Sequence, residues 1–267
     1  MIDLIKAKKA FKDYISNYDI NIPKIKIKIS HMYHVSEISR KIAKEIGLPK
    51  EEQDLAELIG LLHDIGRFEQ VRLYDTYSDK ISVDHGQKGV EVLFGDKLIN
   101  EFIDDDSYYP VIYKAVNNHN KFEVEKGLTQ HEMLHCKIIR DSDNVDIFRA
   151  TLESERLEEV GHMGCSDISK EILSPEFFEG FKKEKPLLYV NAKSDMDVMV
   201  AIIAHIYIIE FSESLKIIRD NDYINKFVKR LYCQDEYTKQ KMDEIAQIAM
   251  NYINKKIEGE NKKWKTF

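Results

Sequence analysis

The chain has 267 residues, a formal charge of −7, and 43% hydrophobic and 33% charged residues, the profile of a globular protein long enough to bury a sizeable core. No basic patch or basic tail stands out, so nucleic acid is not expected as a partner; eleven Gly and five Pro are few for a turn-rich β architecture and favour helices. Cys136, Cys165 and Cys233 are far apart and form no CxxC pair, which argues against a disulfide framework or a zinc ribbon and fits a reducing cytoplasm.

The opening MIDLIKAKKAFKDY carries Ile2, Ile5, Phe11, Tyr14 and Ile15 at a loose helical period and predicts a first helix without the apolar core of a secretory signal. Ile22–Ser30, IPKIKIKIS, alternates Ile with Lys, which suits a strand or an extended lead-in after Pro23. From Ser30 the period is helical, with Val35, Ile38, Ile42 and Ile46 on one face and Gly47 as the stop. Pro49 opens a helix from Glu51 to His63 that turns Leu55, Leu58, Ile59 and Leu62 inward. The polar connection Leu73–Asp84 is long for a bare loop and is expected to be a lid or entrance, with Tyr74 and Tyr77 able either to stack on a base or sugar or to pack the lid.

Helices are predicted over His85–Phe94, Tyr109–Asn118 and His131–Ala150, the last with Leu134, Ile138, Val145 and Phe148 apolar. Residues 151–193 mix Gly, Ser, Pro and charge and predict short helices and loops. Residues 195–258 predict two or three long amphipathic helices with Ile202, Ile206, Ile209, Phe227, Leu231, Ile245, Ile248 and Tyr252 as core, and Lys262–Phe267 an exposed tail. The longest apolar run, Val198–Ile209, is interrupted by His205 and too short to span a bilayer. A cytoplasmic protein without a membrane partner is expected.

The chemistry centres on Ile59–Val71, IGLLHDIGRFEQV. His63 and Asp64 sit side by side at the end of an apolar helical run. Adjacent residues on a continuous helix point roughly 100° apart, so one centre uses both only where the helix ends, and Gly66 is read as that ending. Imidazole and carboxylate are the pair a borderline divalent ion accepts together. Further candidates are His31, His85, His119 and Asp143, placed on or at the ends of predicted helices, as in helical-bundle metal proteins. Asp141 and Asp146, close to Asp143, are able to share or replace its role. His131, His135 and His162 are read instead as hydrogen-bonded core or surface residues, and His205 as a packing histidine.

The order His31, His63-Asp64, Asp143 resembles the H…HD…D signature of the HD superfamily of metal-dependent phosphohydrolases. HMYHVSEISRKIA is similar to that family's first helix and IIRDSDNVDIF to its closing one, and His85 with His119 resembles the subgroup with a second metal site. The resemblance covers roughly residues 28–150. The chain has Asn118-His119 where HD-GYP proteins have two histidines and lacks their GYP tripeptide. It has Arg67-Phe68 where alarmone hydrolases carry an acidic pair and deoxynucleotide triphosphohydrolases a histidine.

The resemblance implies an all-α HD-domain helical bundle over residues 1–150; residues 151–267 are expected as a C-terminal helical extension packing on it, completing the site, forming a homodimer interface, or both. It implies one or two divalent ions of Mn, Fe, Co, Ni or Zn on His31, His63, Asp64, His85, His119 and Asp143, with Asp64 shared. Hydrolysis of a small phosphorylated substrate, a nucleotide among them, would then proceed by attack of a metal-activated hydroxide. Arg67 is the first candidate for the phosphoryl oxygens, followed by Arg72, Asn118 and Arg140, and Asp84 is placed to orient His85. A di-iron oxygenase and a non-catalytic metal- or nucleotide-binding module are the alternatives on the same scaffold.

Overall fold

The computed structural model describes residues 2–95, 97–154 and 167–263, and no strand occurs among them. The chain divides into two compact units, Met1–Asp146 and Ile147–Phe267. His162 and Cys165 lie outside the described residues, as does the tail from residue 264 on. No described helix is long and apolar enough to cross a membrane.

The first unit begins with α1 (Leu4–Ile15), whose start is capped by Asp3 accepting the backbone N–H groups of Ile5 and Lys6. It buries Ala7 and Phe11, while Ile5 is exposed. Next comes α2 (Pro23–Glu45), so the Ile-Lys alternation is helical, neither strand nor extended lead-in. Pro23 fits the first turn, where its missing N–H costs nothing. The helical stripe Ile25, Met32, Val35 and Ile42 is buried along the whole helix, and this outweighs an alternation confined to a few residues.

Following are α3 (Lys50–Leu62) and α4 (Gly66–Tyr74). The glycine at 66 therefore opens a helix after a tight His63-Asp64-Ile65 turn; it does not end one. Close helix contact is built on small residues. A Cβ on Gly60 would stand 2.7 Å from Ser36 Cα and 2.9 Å from Ser39 Oγ, so α2 and α3 approach backbone to backbone, and Ser36 Oγ donates to the Glu57 carbonyl at 2.9 Å. A Cβ on Gly66 would stand 2.4 Å from Gly89 N and 2.5 Å from the His85 carbonyl oxygen. These two contacts bring His31 and His85 up to the His63-Asp64 corner.

The unit continues with α5 (His85–Val90), which runs into a π-helical turn at Glu91–Gly95, then α6 (Ile99–Phe102) and α7 (Tyr109–Asn118). The core under the site includes Leu55, Leu58, Ile59, Leu62, Ile65, Phe68, Phe102 and Ile112, each contributing about 1.5–3 kcal/mol on burial. The long α8 (Gln130–Glu153) passes through the division between the units.

The second unit holds α9 (Pro175–Phe181), α10 (Asp195–Ile203), α11 (Ser212–Asp220), α12 (Tyr223–Leu231) and α13 (Glu236–Lys263). Of the long helices expected over 195–258, only α13 is long. Left-handed backbone at Asp222 and Tyr232 bounds α12, and a 3-10 turn at Ala204–Ile208 leading into extended Ile209 separates α10 from α11. Phe227 packs edge-on against Phe148 at 5.7 Å, and buried Asp197 accepts from Ser174 N, Ser174 Oγ and Lys193 N. Ile202, Ile206, Leu231, Ile245 and Tyr252 are buried as expected; Ile209 and Ile248 are partly exposed.

Candidate metal centre

Four helices and their ends converge at Asp64. His31 comes from α2, His63 caps the end of α3, His85 opens α5, and His119 follows α7. All four histidines and Asp64 are buried. The rings step across the site at centroid distances of 5.3 Å (His31 to His63), 5.1 Å (His63 to His119) and 4.9 Å (His119 to His85). Ligand atoms of His31, His63 and Asp64 lie within 4.8 Å of one another, as do those of Asp64, His85 and His119. The two sets share Asp64. Asp143 Oδ1 adds to the first, 3.1 Å from His31 Nε2 and 3.8 Å from His63 Nε2.

Each imidazole is braced from behind. Nδ1–H of His63 donates to the Gly60 carbonyl at 2.8 Å, and that of His119 to the Val116 carbonyl at 2.7 Å. Nδ1 of His31 pairs with Asp146 Oδ2 at 2.8 Å, and Nδ1 of His85 with Asp79 Oδ2 at 2.6 Å. With the proton held at Nδ1, all four Nε2 lone pairs face the carboxylates, an arrangement that metal-binding histidines adopt. His63 Nε2 is buried with no hydrogen-bond partner. A buried bare lone pair facing a carboxylate is unfavourable unless a cation stands between them, so these residues fit a divalent metal.

The protonation states of His63 and His85 agree. Burial pushes His63 down to about 3, against the attraction of Asp64 and Asp143. Burial, helped by Arg67, pushes His85 down to about 4, against Asp79. Both are neutral ligands at pH 7. Burial and Lys28 act to lower His31, but its bonds to Asp143 and Asp146 outweigh them and raise it. Burial would raise Asp64, yet Lys28, His63, His119 and Arg67 hold it well below the carboxylate range.

The cations at the centre are Lys28 and Arg67. Lys28 Nζ lies 2.6 Å from Asp64 Oδ2 and Arg67 Nε 3.6 Å from Oδ1. Arg67 is anchored through donation to Gln70, the Tyr77 carbonyl and Asp79. Both cations lie over the Tyr77 ring, at 5.2 and 5.3 Å.

The remaining sequence candidates have partners within the protein. Arg72 is exposed and paired with Glu69. Asn118 turns its amide to the Lys114 carbonyl and its oxygen to Glu125 N–H. Arg140 donates to the carbonyls of Asn118, His119, Lys121 and Phe122, so it fixes the turn that carries His119. Asp84 caps α5 and meets Asn120 and Lys121, while Asp79 orients His85. Buried Tyr77 donates its hydroxyl to the Lys24 carbonyl at 2.5 Å and is not free to stack on a base. The connection after α4 is pinned: Gln70 Nε2 donates to Asp79, Ser82 and the Val83 carbonyl. It forms a wall of the site, held in place where a lid or entrance was expected.

Sequence reasoning missed Lys28, Asp79 and Gln70. Lys28 stands one turn before His31, a signal visible once α2 is read from Pro23. His205 donates to or accepts from the Tyr189 hydroxyl at 2.6 Å.

An all-helical fold with two buried His/Asp sets meeting at a His-Asp corner defines the HD-domain class. The HD domain family model matches residues 29–225, more than half of the chain, and the chain belongs to that family. The match continues well beyond the region around residues 28–150 that carries the sequence resemblance. Comparison with curated proteins and with solved structures finds no significant match.

Proposed function

We propose that the protein is a metal-dependent phosphohydrolase that cleaves a phosphoester of a small metabolite or nucleotide. The observation that supports it is the division of Asp64. Its Oδ2 faces His63 and His31 at 3.5 and 3.8 Å, and its Oδ1 faces His119 and His85 at 3.3 and 3.5 Å. On this reading Asp64 serves two ions, one with His31, His63 and Asp143, the other with His85 and His119. Bound there, Mn, Fe, Co, Ni or Zn supplies a water acidified towards neutrality and charge to balance phosphoryl oxygens.

The protein's own residues do the rest. Asp79, Asp146 and the carbonyls of Gly60 and Val116 hold the four protons at Nδ1. Lys28 and Arg67, with side chains 16% and 15% exposed, are donors at the edge of the centre for the non-attacking oxygens of a substrate phosphate. Tyr77 and Gln70 fix where those donors stand.

The test is phosphate release from generic phosphoesters by metal-analysed protein supplied with each ion, in air and without it. Metal-dependent release that Asp64→Ala abolishes supports the proposal. Absence of release with every ion, or turnover that consumes oxygen, overturns it.

A further inference from the structure

A separate cluster lies at the starts of α3 and α8. His131 and His135 stand one turn apart on α8, their rings 5.1 Å apart. Their Nε2 atoms both lie 2.7 Å from the same oxygen, Glu52 Oε2, in the first turn of α3. The three ligand atoms fall within 4.8 Å of one another. We propose that Glu52, His131 and His135 form a zinc-class metal site distinct from the HD centre.

The donor set of two imidazoles and one carboxylate is one that zinc accepts with a position left open. His135 is fully buried and Glu52 largely so, whereas the His131 side chain is 43% exposed and gives the ion access. The bonds to His135 and His131 outweigh burial and keep Glu52 ionised. Donor atoms around a tetrahedral ion with bonds of about 2.0–2.1 Å are about 3.3 Å apart. Glu52 therefore draws back by roughly half an ångström as the ion replaces the shared protons.

The site is independent of the first. At about 1.5 Å per helical residue, His135 is about 12 Å along α8 from Asp143. The run His131–His135 reads HEMLH, the helical spacing at which metallopeptidases hold zinc. Here Glu132 accepts from the Thr129 backbone N–H and hydroxyl at 2.7 and 2.9 Å, so it caps the helix, and no peptidase chemistry is implied. Nδ1 of His135 is buried without a partner, in contrast to the braced imidazoles of the HD centre. An absent brace of this kind weakens a metal site about 10–100-fold, and the new site is expected to be the weaker one. Zinc there would tie the first turn of the helix that ends at His63 to the first turn of the helix that carries Asp143.

The test uses the metal-stripped full chain titrated with zinc against a chromophoric chelator, with cobalt absorption as the record of coordination. Asp64→Ala is expected to retain one zinc equivalent, and Asp64→Ala/His131→Ala to lose it together with its cobalt spectrum. In wild type, His131→Ala removes one equivalent, and Glu52→Gln weakens the same one. His131 is exposed, so its replacement leaves folding intact even where Asp64→Ala does not fold. Equal zinc content with and without His131 overturns the proposal. Neither measurement reads phosphate release, so the outcome is separate from that of the phosphohydrolase assignment.

Discussion

Lys28 Nζ lies 2.6 Å from Oδ2 of Asp64, the oxygen that faces His31 and His63. The ammonium balances a buried carboxylate and also stands where a substrate phosphate would meet the centre. Lys28→Met is expected to lower kcat by roughly 10²–10³, the usual worth of one charge-stabilising donor, with metal content unchanged. Phosphate release and metal analysis on one sample check this. Loss of metal would show instead that Lys28 serves to hold Asp64.

Asp64 and His85 separate one ion from two. Asp64→Ala deletes the carboxylate common to both sets and is expected to remove the metal of the HD centre and the activity together, leaving only what Glu52, His131 and His135 hold. His85→Ala is expected to lower the HD-centre stoichiometry from about two to about one and abolish hydrolysis. Unchanged metal content in His85→Ala would mark a mononuclear centre.

The metal-free protein is expected to lose stability as pH falls from about 6.5 to about 4.5. An unfolded imidazole titrates near 6.5, whereas burial holds His63 down to about 3 and His85 down to about 4 in the fold. Over that window the unfolded chain takes up protons that the folded chain refuses. His31, raised, acts the other way: its contribution is fully present below 6.5 and lost as pH rises through its folded value. Two depressed groups against one raised leave a net loss, each depressed histidine contributing at most about 2 kcal/mol at pH 5. Urea midpoints across the window check it. His85→Gln should flatten the dependence, and an unaltered slope would remove His85 from the account.

The cluster was legible because His31, His63, Asp64, His85, His119 and Asp143, which the fold brings together, carry their chemistry in their identity and order. The helices that present them were legible where an apolar stripe runs long, as in α3. What escaped is long-range. Asp79 braces His85 only because Gln70 and Arg67 pin the connection after α4, and Asp84, adjacent in sequence, is spent on the helix cap. Arg140 and Asn118 look like substrate ligands until the turn after α7 claims them through its backbone. The alternation before Ser30 hid α2's first turn, and Lys28 with it.

Gly66 ties fold to site. A Cβ there would meet Gly89 N at 2.4 Å and the His85 carbonyl oxygen at 2.5 Å, both backbone atoms that no rotamer change can move. Gly66→Ala must therefore push α4 from α5, at a cost of about 1–3 kcal/mol, the usual range for overpacking. The displaced segment begins with His85, whose Nε2 stands 3.5 Å from Asp64 Oδ1, so the ion on His85 and His119 is expected to be lost while the one on His31, His63 and Asp143 stays. Gly259→Ala is the control: it lies in α13 with nothing within 4 Å of its Cβ position, and alanine there should stabilise by up to about 1 kcal/mol through helix propensity alone. Denaturant midpoints and metal stoichiometry of the two variants decide the matter. A Gly66→Ala protein with wild-type stability and full metal content would mean that the α4–α5 contact does not set the position of His85.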